Sequence, residues 1–598
     1  MLLAPAALRA QDDWPNPGRD PGATHYSPLK QINARNVTRL RPAWTFHAGD
    51  PAGNVNSEGA PLVVGGMMYF TAGKNVFALN PETGEQIWKY ETKGTQRRGL
   101  AYWPGDAQTP ARLFLGVAGK QMLALDAKTG KPVAEFGEGG FVSGTAPSSA
   151  PVIYKDLVIT GDNQIQMVRA WNARTGKLVW TFQTKAQPGE PGYDSWKGKS
   201  WDVKSGTDVW TFMTLDAERG LVFVPIAPSG GNEYYGGLRQ GNGLYSDSVV
   251  ALDAATGKMV WYQQLVHHDI WDYDVSAPPT VFDVKIGGKI VPAVAEFSKQ
   301  GLLFIFDRTS GKPVFGMEER AVPASDVPGE ELSPTQPFPL KPPPLAPMRI
   351  TRDDIYDLTP EHAAYCRDLW DSNHLYNDGP YTPYSIDPNK TEVIFPGREG
   401  SGNWGGMAYD PKLSYLIGPT VFHAGQVGRL VKGERENPRG GPYDKVYPGG
   451  GSNYYSRFWD RKTGWPCIKP PWAELIAVNA KTGDIAWRVP LGTVDALAEK
   501  GFPHTGAPNT GSLIATAGGL VFIGATNDAR FRAFDSRTGK ELWVDKLPAS
   551  AHTVPVTYRG RNGKQYVVVE AFGGPGIIAM QGFFNDTPGD SIIAYALP

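Results

Sequence analysis

Residues 251–261 read Ala-Leu-Asp-Ala-Ala-Thr-Gly-Lys-Met-Val-Trp, and versions of this segment recur along the chain. The shared pattern is apolar-x-Asp/Asn-x-x-Thr-Gly-Lys-x-x-Trp. An alternating apolar strand leads into a tight turn, in which Asp or Asn bonds to the backbone and Gly takes a positive φ. A second strand then carries a Trp that can pack between sheets. One such hairpin cannot bury its apolar face alone, so the copies must stack.

Seven copies of the segment are clear. They begin at Ala78, Ala124, Ala170, Ala251, Ile305, Ala477 and Ala533. Their turn glycines Gly84, Gly130 and Gly176 are 46 residues apart, close to the length of one four-stranded propeller blade. A degenerate copy at residues 407–411 lies in a later gap and brings the total to eight. The sequence therefore predicts an all-β, eight-bladed β-propeller of four-stranded antiparallel blades with loop and short-helix insertions.

The two ends of the chain are expected to meet in one blade. We predict that the apolar strand at residues 592–597 pairs with the strand around residues 44–46, which closes the ring and removes free sheet edges. Three insertions interrupt the repeats. Residues 321–350 are Pro-rich and predicted to be irregular, residues 425–453 are predicted to cover one face, and residues 360–370 are predicted to form a short helix with Pro in its first turn.

Composition excludes several classes of function. The 59 Lys and Arg residues almost balance the 60 Asp and Glu residues, so no overall charge favours nucleic acid or a membrane surface. No apolar run approaches the roughly 20 residues that cross a bilayer. Residues 1–10 resemble the remnant of a secretory signal, with a disordered cytosolic start as the alternative, and residues 11–598 are interpreted as one domain.

The two cysteines, Cys366 and Cys467, leave two interpretations open: one disulfide in an oxidising compartment, or two buried thiols. The sequence contains no Cys-x-x-Cys-His motif, which gives no sign of a covalently attached c-type haem.

The most specific segment is His-His-Asp-Ile-Trp-Asp-Tyr-Asp at residues 267–274, followed by Ser-Lys-Gln-Gly at residues 298–301. These segments resemble the catalytic region of dehydrogenases that depend on pyrroloquinoline quinone (PQQ), above all the glucose and quinate dehydrogenase branch. Other similar segments occur in the same order at residues 18–33, 98–103, 464–467 and 563–568, so the resemblance covers nearly the whole chain.

The resemblance implies a binding site for PQQ, a flat quinone with three carboxylates. It implies that the ring stacks on Trp210, whereas the simpler interpretation of Trp210 is packing between blades. It assigns cationic contacts to Arg98 and Lys299, a hydroxyl donor to Ser148 and a polar contact to Asn403.

The resemblance also implies a hard cation held by oxygen ligands: calcium first, magnesium or a lanthanide less strongly. The metal ligands that it suggests are Asp162, Asn163 and Asp272, although an ordinary Asp-Asn turn would equally explain the first two. Alcohol-oxidising relatives place an Asn on the later segment that corresponds to residues 227–230. This chain has no Asn there, so the coordination shell stays open.

By the same resemblance, Asp272 is the general base that takes the proton of the substrate hydroxyl, and Lys299 acts beside it at the quinone oxygens. His267 and His268 either shape the substrate side or simply pack the turn. The adjacent-cysteine disulfide that covers PQQ in many alcohol-oxidising relatives is missing, which again favours the glucose and quinate branch.

The predicted substrate is a secondary alcohol, polyol, sugar or cyclic alcohol. Electrons are expected to pass to a separate acceptor such as cytochrome c or ubiquinone, and the expected location is the periplasm. Two alternatives remain: a non-catalytic propeller scaffold in the periplasm, and a hydrolytic propeller that uses paired carboxylates. Neither explains why Arg98, Trp210 and Lys299 occur together with the segment at residues 267–274.

Overall fold

The computed structural model describes residues 12–49, 57–163, 165–202, 206–229, 234–437, 441–448, 456–573 and 588–598. The predicted signal remnant at residues 1–10 lies outside these ranges. Among the described residues, no helix has both the length and the apolar character that a membrane crossing requires.

Strands make up almost all of the regular structure. The N-terminal part of the chain forms β1 (Tyr26–Ser27), β2 (Arg41–His47), β3 (Leu62–Val64), β4 (Met67–Ala72), β5 (Asn75–Leu79), β6 (Gln86–Glu91), β7 (Ala101–Trp103), β8 (Arg112–Val117), β9 (Gln121–Asp126) and β10 (Phe141–Ser143). These are followed by β11 (Val152–Tyr154), β12 (Leu157–Gly161), β13 (Met167–Asn172), β14 (Leu178–Gln183), β15 (Thr214–Asp216), β16 (Leu221–Pro225), β17 (Ser248–Asp253), β18 (Met259–Gln264), β19 (Thr280–Ile286), β20 (Lys289–Phe297) and β21 (Leu303–Asp307).

The region with long insertions contains β22 (Met317–Ala321), β23 (Thr335–Pro339), β24 (Leu375–Tyr376), β25 (Thr391–Ile394), β26 (Ala408–Asp410), β27 (Tyr415–Pro419), β28 (Gln426–Asn437), β29 (Gly441–Val446), β30 (Glu474–Asn479) and β31 (Asp484–Pro490). The C-terminal part of the chain forms β32 (Leu513–Thr516), β33 (Leu520–Ile523), β34 (Arg530–Asp535), β35 (Glu541–Lys546), β36 (Val556–Arg559), β37 (Gln565–Ala571) and β38 (Ser591–Ala596).

These strands form eight blades, as predicted, although among the described residues the fifth blade has three strands and not the predicted four. Blades 1 to 5 are β3–β6, β7–β10, β11–β14, β15–β18 and β19–β21; blade 6 is β26, β27, β30 and β31; blade 7 is β32–β35; and blade 8 is β36, β37, β38 and β2. The first strands of successive blades touch one another from β7 through β11, β15, β19 and β26 to β32. The first strands therefore line the centre of the ring.

The two ends of the chain close the ring in blade 8. The antiparallel pairing of β2 with β38 sets Trp44 opposite Ala594 and Phe46 opposite Ile592, which confirms the predicted closure. The short strand β1 adds a parallel edge to blade 7.

The predicted number of blades is right, but one assignment behind it is wrong. The degenerate copy at residues 407–411 is not a blade of its own, because β26 shares blade 6 with the copy at β30 and β31. The eighth blade is instead the one that closes the ring. Its strands β2 and β38 come from opposite ends of the chain, so this blade cannot appear as one continuous repeat in the sequence.

The repeated Trp and Gly residues join neighbouring blades. In blade 3, the Trp180 indole donates a hydrogen bond of 3.2 Å to the carbonyl of Ala254 in the turn of blade 4. Gly257 of that turn has a φ of +71°, and a Cβ atom there would lie 2.4 Å from the Trp180 ring. The same contact recurs in the pairs Trp44 with Gly84, Trp88 with Gly130, Trp261 with Gly311, and Trp487 with Gly539.

The insertions form their own small elements. Helix α1 (Pro360–Ser372) starts with Pro as predicted and is capped by the Thr359 hydroxyl, whereas α2 (Asp495–Ala498) is a single turn. Part of the Pro-rich insertion is not irregular, because β22 and β23 pair as a hairpin. Short 3₁₀ helices occupy Val37–Arg39, Tyr193–Ser195, Ser200–Asp202 and Arg352–Asp354.

A disulfide between Cys366 and Cys467 joins helix α1 to the segment that precedes β30. Of the two open interpretations of the cysteines, the disulfide is the one that the structure contains. Two further strands, β24 and β25, pair with the long hairpin β28–β29 in a separate sheet. This sheet brings the segment around residues 375–400 next to the loop at residues 267–274.

Candidate functional site

The loop at residues 267–274 has an unusual backbone that Asp269 stabilises. The buried Asp269 carboxylate accepts hydrogen bonds of 2.7 Å from the amides of both Trp271 and Tyr273. Asp272 lies between these two residues and has a φ of +66°, in the left-handed region that costs most residues energy. The two hydrogen bonds therefore hold a strained turn that fixes the direction of the Asp272 side chain.

Two aromatic side chains fasten this loop to the inserted segment. The Trp271 indole donates a 2.8 Å hydrogen bond to the carbonyl of Thr382, and the Tyr273 hydroxyl donates one of 3.3 Å to the carbonyl of Phe395. Both rings also pack against Tyr381. The site loop is thus held from the side of the insertion as well as by its own hydrogen bonds.

Lys299 joins the two carboxylates of the loop. Its ammonium group donates hydrogen bonds of 2.9 Å to the Asp274 carboxylate and 2.8 Å to the Asp272 carbonyl, and it lies 3.4 Å from Oδ2 of Asp272. Asp274 also accepts a 2.8 Å hydrogen bond from the indole of Trp210. The residues predicted as ring platform, base and cation therefore meet in one place.

A second group of predicted residues gathers at the backbone of Trp210. The carbonyl oxygen of Trp210 accepts hydrogen bonds from Arg98 at 2.9 Å, from Ser148 at 2.8 Å and from Ser149 at 2.9 Å. The Arg98 guanidinium carbon lies 4.6 Å from the centre of the Trp210 ring. Arg98 is buried and forms an ion pair with the equally buried Glu58.

The segment at residues 397–404 lies against Lys299. The amides of Ser401 and Gly402 bond to the carbonyls of Lys299 at 2.6 Å and Ser298 at 3.1 Å. Asn403 bonds locally, because its side chain donates to the Glu399 carbonyl at 2.9 Å and accepts from the Trp404 amide at 2.8 Å.

The first turn of this segment carries Arg398, whose Nε lies 3.3 Å from Oδ2 of Asp272. Asp272 therefore faces two cations, Lys299 and Arg398.

The predicted metal ligands do not gather into one cluster. Asp162 is fully buried, but its carboxylate pairs with Arg169 and accepts hydrogen bonds from Thr145 at 2.6 Å and from the amide of Ala146 at 2.8 Å. The amide of its neighbour Asn163 bonds to the Ala146 carbonyl at 3.0 Å. Within the described ranges, no three His, Cys, Asp or Glu side chains converge as a metal site would require.

The charges at the centre are set by burial and by one another. Burial raises the pKa of Asp274 to about 7, although the Lys299 ammonium acts in the opposite direction. Burial acts on Asp272 as well, but the charges of Lys299 and Arg398 outweigh it and hold the pKa of that carboxyl below its ordinary value. The two carboxylates likewise outweigh burial at Lys299 and raise its pKa. At neutral pH, Asp272 is thus an ionised acceptor next to a charged Lys299.

The two histidines before the loop have packing contacts. His268 is buried, has a φ of +48° and bonds to the Gly241 carbonyl at 2.8 Å through Nδ1. His267 contacts Gln264 at 2.8 Å and Glu319 of β22 at 3.2 Å. Their contacts agree with the turn-packing interpretation.

Sequence reasoning did not assign a role to Glu58, Asp269 or Arg398. Asp269 carries a detectable sequence signal. An Asp side chain can accept hydrogen bonds from backbone amides two and four residues further along a turn, which here belong to Trp271 and Tyr273. Glu58 and Arg398 carry no comparable local signal, since each reaches its partner only through the folding of distant segments.

The assembled groups suit a flat molecule that carries several negative charges. Trp210 provides an aromatic face, while Arg98, Lys299 and Arg398 provide positive charge around it. Two buried N–H groups at the site, Nε of Arg98 and Nε1 of Trp404, have no hydrogen-bond partner within the described part of the protein. Such buried donors are costly unless a ligand satisfies them, so the residues fit the PQQ that the resemblance implies.

Three comparisons with known proteins agree with this geometry. The PQQ family model, described as the β-propeller domain of glucose/ethanol/alcohol dehydrogenase, matches residues 14–567. The glycerol dehydrogenase large subunit of Gluconobacter thailandicus is 32% identical, with 100% of this chain and 87% of the relative covered. The quinate/shikimate dehydrogenase (quinone) of Acinetobacter baylyi is also 32% identical, with 98% and 79% covered. The solved quinohemoprotein alcohol dehydrogenase of Comamonas testosteroni superposes with a TM-score of 0.71 at 25% identity, and the match covers 99% of this chain and 81% of the other.

Proposed function

Since this chain belongs to the family of PQQ-dependent glucose, ethanol and alcohol dehydrogenases, it oxidises an alcohol or sugar hydroxyl with PQQ, and we propose that it does so at the site built on Trp210, Asp272 and Lys299. The observation that carries this proposal is the double contact of Lys299. One ammonium group reaches both carboxylates of the loop, and one of those carboxylates accepts from the Trp210 indole. An aromatic platform and a base thus lie within one hydrogen-bonded unit.

In the proposed mechanism, Asp272 accepts the proton of the substrate hydroxyl at Oδ2, the oxygen that faces Lys299 and Arg398. Lys299 and Arg398 keep this carboxylate ionised before the reaction and hold it in place. PQQ, when bound, would be the oxidant for removal of the hydride from the carbinol carbon. Arg98 and Ser148 would hold the carboxylates of the cofactor beside Trp210, and Asn403 would contact its edge.

We also propose that the site holds a hard cation, with calcium preferred over magnesium or a lanthanide. Asp272 is the proposed carboxylate ligand, because it already faces the centre. Within the described residues no three His, Cys, Asp or Glu side chains converge there, so other oxygen donors would be needed to complete the shell. Asp162 and Asn163 remain predicted ligands, and binding through Asp162 would require that Arg169 give up its ion pair.

We propose a periplasmic location and a separate electron acceptor such as cytochrome c or ubiquinone. The Cys366–Cys467 disulfide supports the location, because such bonds persist in oxidising compartments. The substrate is proposed to be a polyol, sugar, secondary alcohol or cyclic alcohol.

Reconstitution tests the proposed function. Purified apo-protein is incubated with PQQ and calcium and is then offered an artificial dye with a panel of alcohols, polyols and aldoses. We expect a bound-quinone absorbance and dye reduction that requires PQQ. In Lys299→Ala, we expect PQQ to remain bound and dye reduction to fall at least tenfold. A protein that neither binds PQQ nor reduces dye with any member of the panel would instead favour the scaffold function.

A further inference from the structure

We propose that the end of the propeller opposite the cofactor site binds the surface of an anionic phospholipid bilayer. This surface contains none of the site residues, so the inference goes beyond the proposed function and does not depend on it. The whole chain has a formal charge of −1, and binding would therefore depend on where the charges lie and not on their sum.

The two ends of the propeller carry different connections. In an antiparallel blade, the turns between strands one and two and between strands three and four lie at one end, and the other connections lie at the opposite end. Trp210 and Asp272 each precede the first strand of a blade, and Lys299 lies between the second and third strands of blade 5. The cofactor site is therefore at one end, and the repeated turns are at the other, which we call the turn end.

One side of the turn end carries a dense group of exposed cations, which we call the basic patch. The segments that supply it are in contact, because the amide of Ile32 donates a 3.0 Å hydrogen bond to the Gln565 side chain and the 3₁₀ helix at Val37–Arg39 lies against β35. The nine residues of the patch come from the segment at residues 30–41, the outer turn of blade 7 and the first hairpin of blade 8: Lys30, Arg35, Arg39, Arg41, Arg537, Lys540, Arg559, Arg561 and Lys564.

Few carboxylates oppose the charge of the basic patch. Within the described ranges, Arg559 is the only one of its residues in an ion pair, with Asp12 at 3.7 Å. Asp535, the acid of the blade 7 turn, accepts hydrogen bonds from the amides of Arg537 and Thr538 in its own turn. The patch thus has a large excess of positive charge, and exposed cations of this kind are attracted to anionic headgroups.

Blade 5 adds an apolar projection at the turn end. Its first strand, β19, has seven residues, compared with three or four in the first strands of the other blades. The pairs Val284–Val291, Lys285–Ile290 and Ile286–Lys289 continue the hairpin beyond the part that β21 covers. Three residue pairs correspond to a projection of about 10 Å at the rise of a β-strand.

The tip of this projection combines an apolar side chain with two lysines. Ile290 is 72% exposed, Lys285 lies directly opposite it, and both Lys285 and Lys289 are exposed. Such a tip suits the boundary between headgroups and acyl chains, where an apolar group is buried while the ammonium groups stay in water. A soluble acidic partner would account for the basic patch but not for an exposed isoleucine between lysines.

The two features act together. Charge or a small apolar insertion alone gives weak, reversible attachment, whereas the combination strengthens it. Because the cofactor site lies at the opposite end, attachment through the turn end would leave that site facing away from the bilayer.

The test measures sedimentation of the full-length protein with vesicles. One set of vesicles is phosphatidylcholine alone, and the other is a two-to-one mixture of phosphatidylcholine and phosphatidylglycerol. We expect binding to the anionic vesicles at about 0.05 M salt, at least about tenfold weaker binding to them at about 0.5 M salt, and no binding to the neutral vesicles.

Matched variants locate the binding surface. A triple variant that removes one cation from each segment of the basic patch should weaken binding to the anionic vesicles by about tenfold or more: Arg35→Gln, Lys540→Gln and Lys564→Gln. Its control removes three exposed cations at the cofactor end and should leave binding within about twofold: Lys93→Gln, Lys120→Gln and Lys199→Gln.

The apolar tip is tested separately. Ile290→Ser should weaken binding by about threefold or more, whereas Val179→Ser, on the outer strand of blade 3 and 49% exposed, should not. Since both side chains are exposed, both variants should melt at the wild-type temperature.

Four results would overturn the inference. The first is equal binding, or none, to the two sets of vesicles at low salt. The second is the same loss of binding in the control triple variant as in the patch variant. The third is unchanged binding of Ile290→Ser, because charge alone does not distinguish a bilayer from a soluble acidic partner. The fourth is binding to dextran sulfate without binding to either set of vesicles, which would assign the patch to a soluble polyanion.

Discussion

At the scale of single residues, the chemistry depends on how one short loop holds Asp272. The residue types of that loop were predictable from the sequence, because the segment at residues 267–274 is distinctive. The shape of the loop was not predicted, although Asp269 carries a local signal for the two hydrogen bonds that accompany the positive φ of Asp272. The paired cations were only half predictable: Lys299 lies in a recognisable segment, whereas Arg398 reaches Asp272 from an insertion 126 residues further along the chain.

Replacement of the proposed base tests its role directly. We expect Asp272→Asn to lower kcat by about 10²- to 10⁴-fold, because an amide cannot accept the hydroxyl proton. PQQ binding, followed by quinone absorbance, should persist because Trp210, Arg98 and Ser148 are unchanged. A variant that retained more than a tenth of the wild-type kcat would exclude Asp272 as the base.

The pH dependence should follow from the charges around Asp272. Its pKa in the folded protein lies below the ordinary value, so the active, ionised form is present at neutral pH and is lost only when the pH falls through that lowered pKa. We therefore expect no acid limb in kcat/KM above about pH 5. Because Arg398→Gln removes one of the two cations, it should move the acid limb towards higher pH, measured with a neutral substrate. An unchanged limb would argue against electrostatic coupling of the two residues.

At the scale of structural elements, the repeated Trp and Gly residues explain why the sequence predicts this fold so directly. Five of the seven turn glycines meet a Trp of the preceding blade, so in these copies the motif encodes both a hairpin and the contact between hairpins. The insertions contain no repeated motif of this kind. The N-terminal Pro of α1 was foreseeable from local sequence, but the β22–β23 hairpin was not, because its Pro-rich strands acquire their pairing from tertiary contacts.

Replacement of one turn glycine should separate the packing effect from backbone strain. Gly257→Ala places a methyl group about where Trp180 already lies and also strains a φ of +71°, whereas Gly65→Ala strains a φ of +61° with no atom within 4 Å. We expect Gly65→Ala to cost about 1 kcal/mol of unfolding free energy and Gly257→Ala roughly 1–3 kcal/mol more. Thermal melting of the two variants measures the difference, and equal melting temperatures would show that Trp180 moves aside without cost.

At the scale of the whole molecule, closure of the ring was predictable because pairing of the two terminal strands removes free sheet edges. The exact residues of the site were less predictable from the sequence. Residues 58, 98, 148, 210, 272, 299 and 398 come from segments across much of the chain, and only the ring brings them together. A site of this kind depends on the integrity of every blade, because no single segment contains both the aromatic platform and the base.

Removal of the last strand should therefore damage the entire molecule. β38 lies between β2 and β37, and Ile592, Ile593 and Tyr595 on it are all buried. Burial of side chains of this size contributes roughly 1.5–3 kcal/mol each, which together is comparable to the total stability of many domains. We expect a chain that ends at residue 590 to lose its cooperative melting transition and its PQQ binding, whereas one that lacks only the exposed Pro598 should behave as wild type. If the shorter chain melted at the wild-type temperature, blade 8 would not need its terminal strand, and closure would have to come from contacts between the remaining blades.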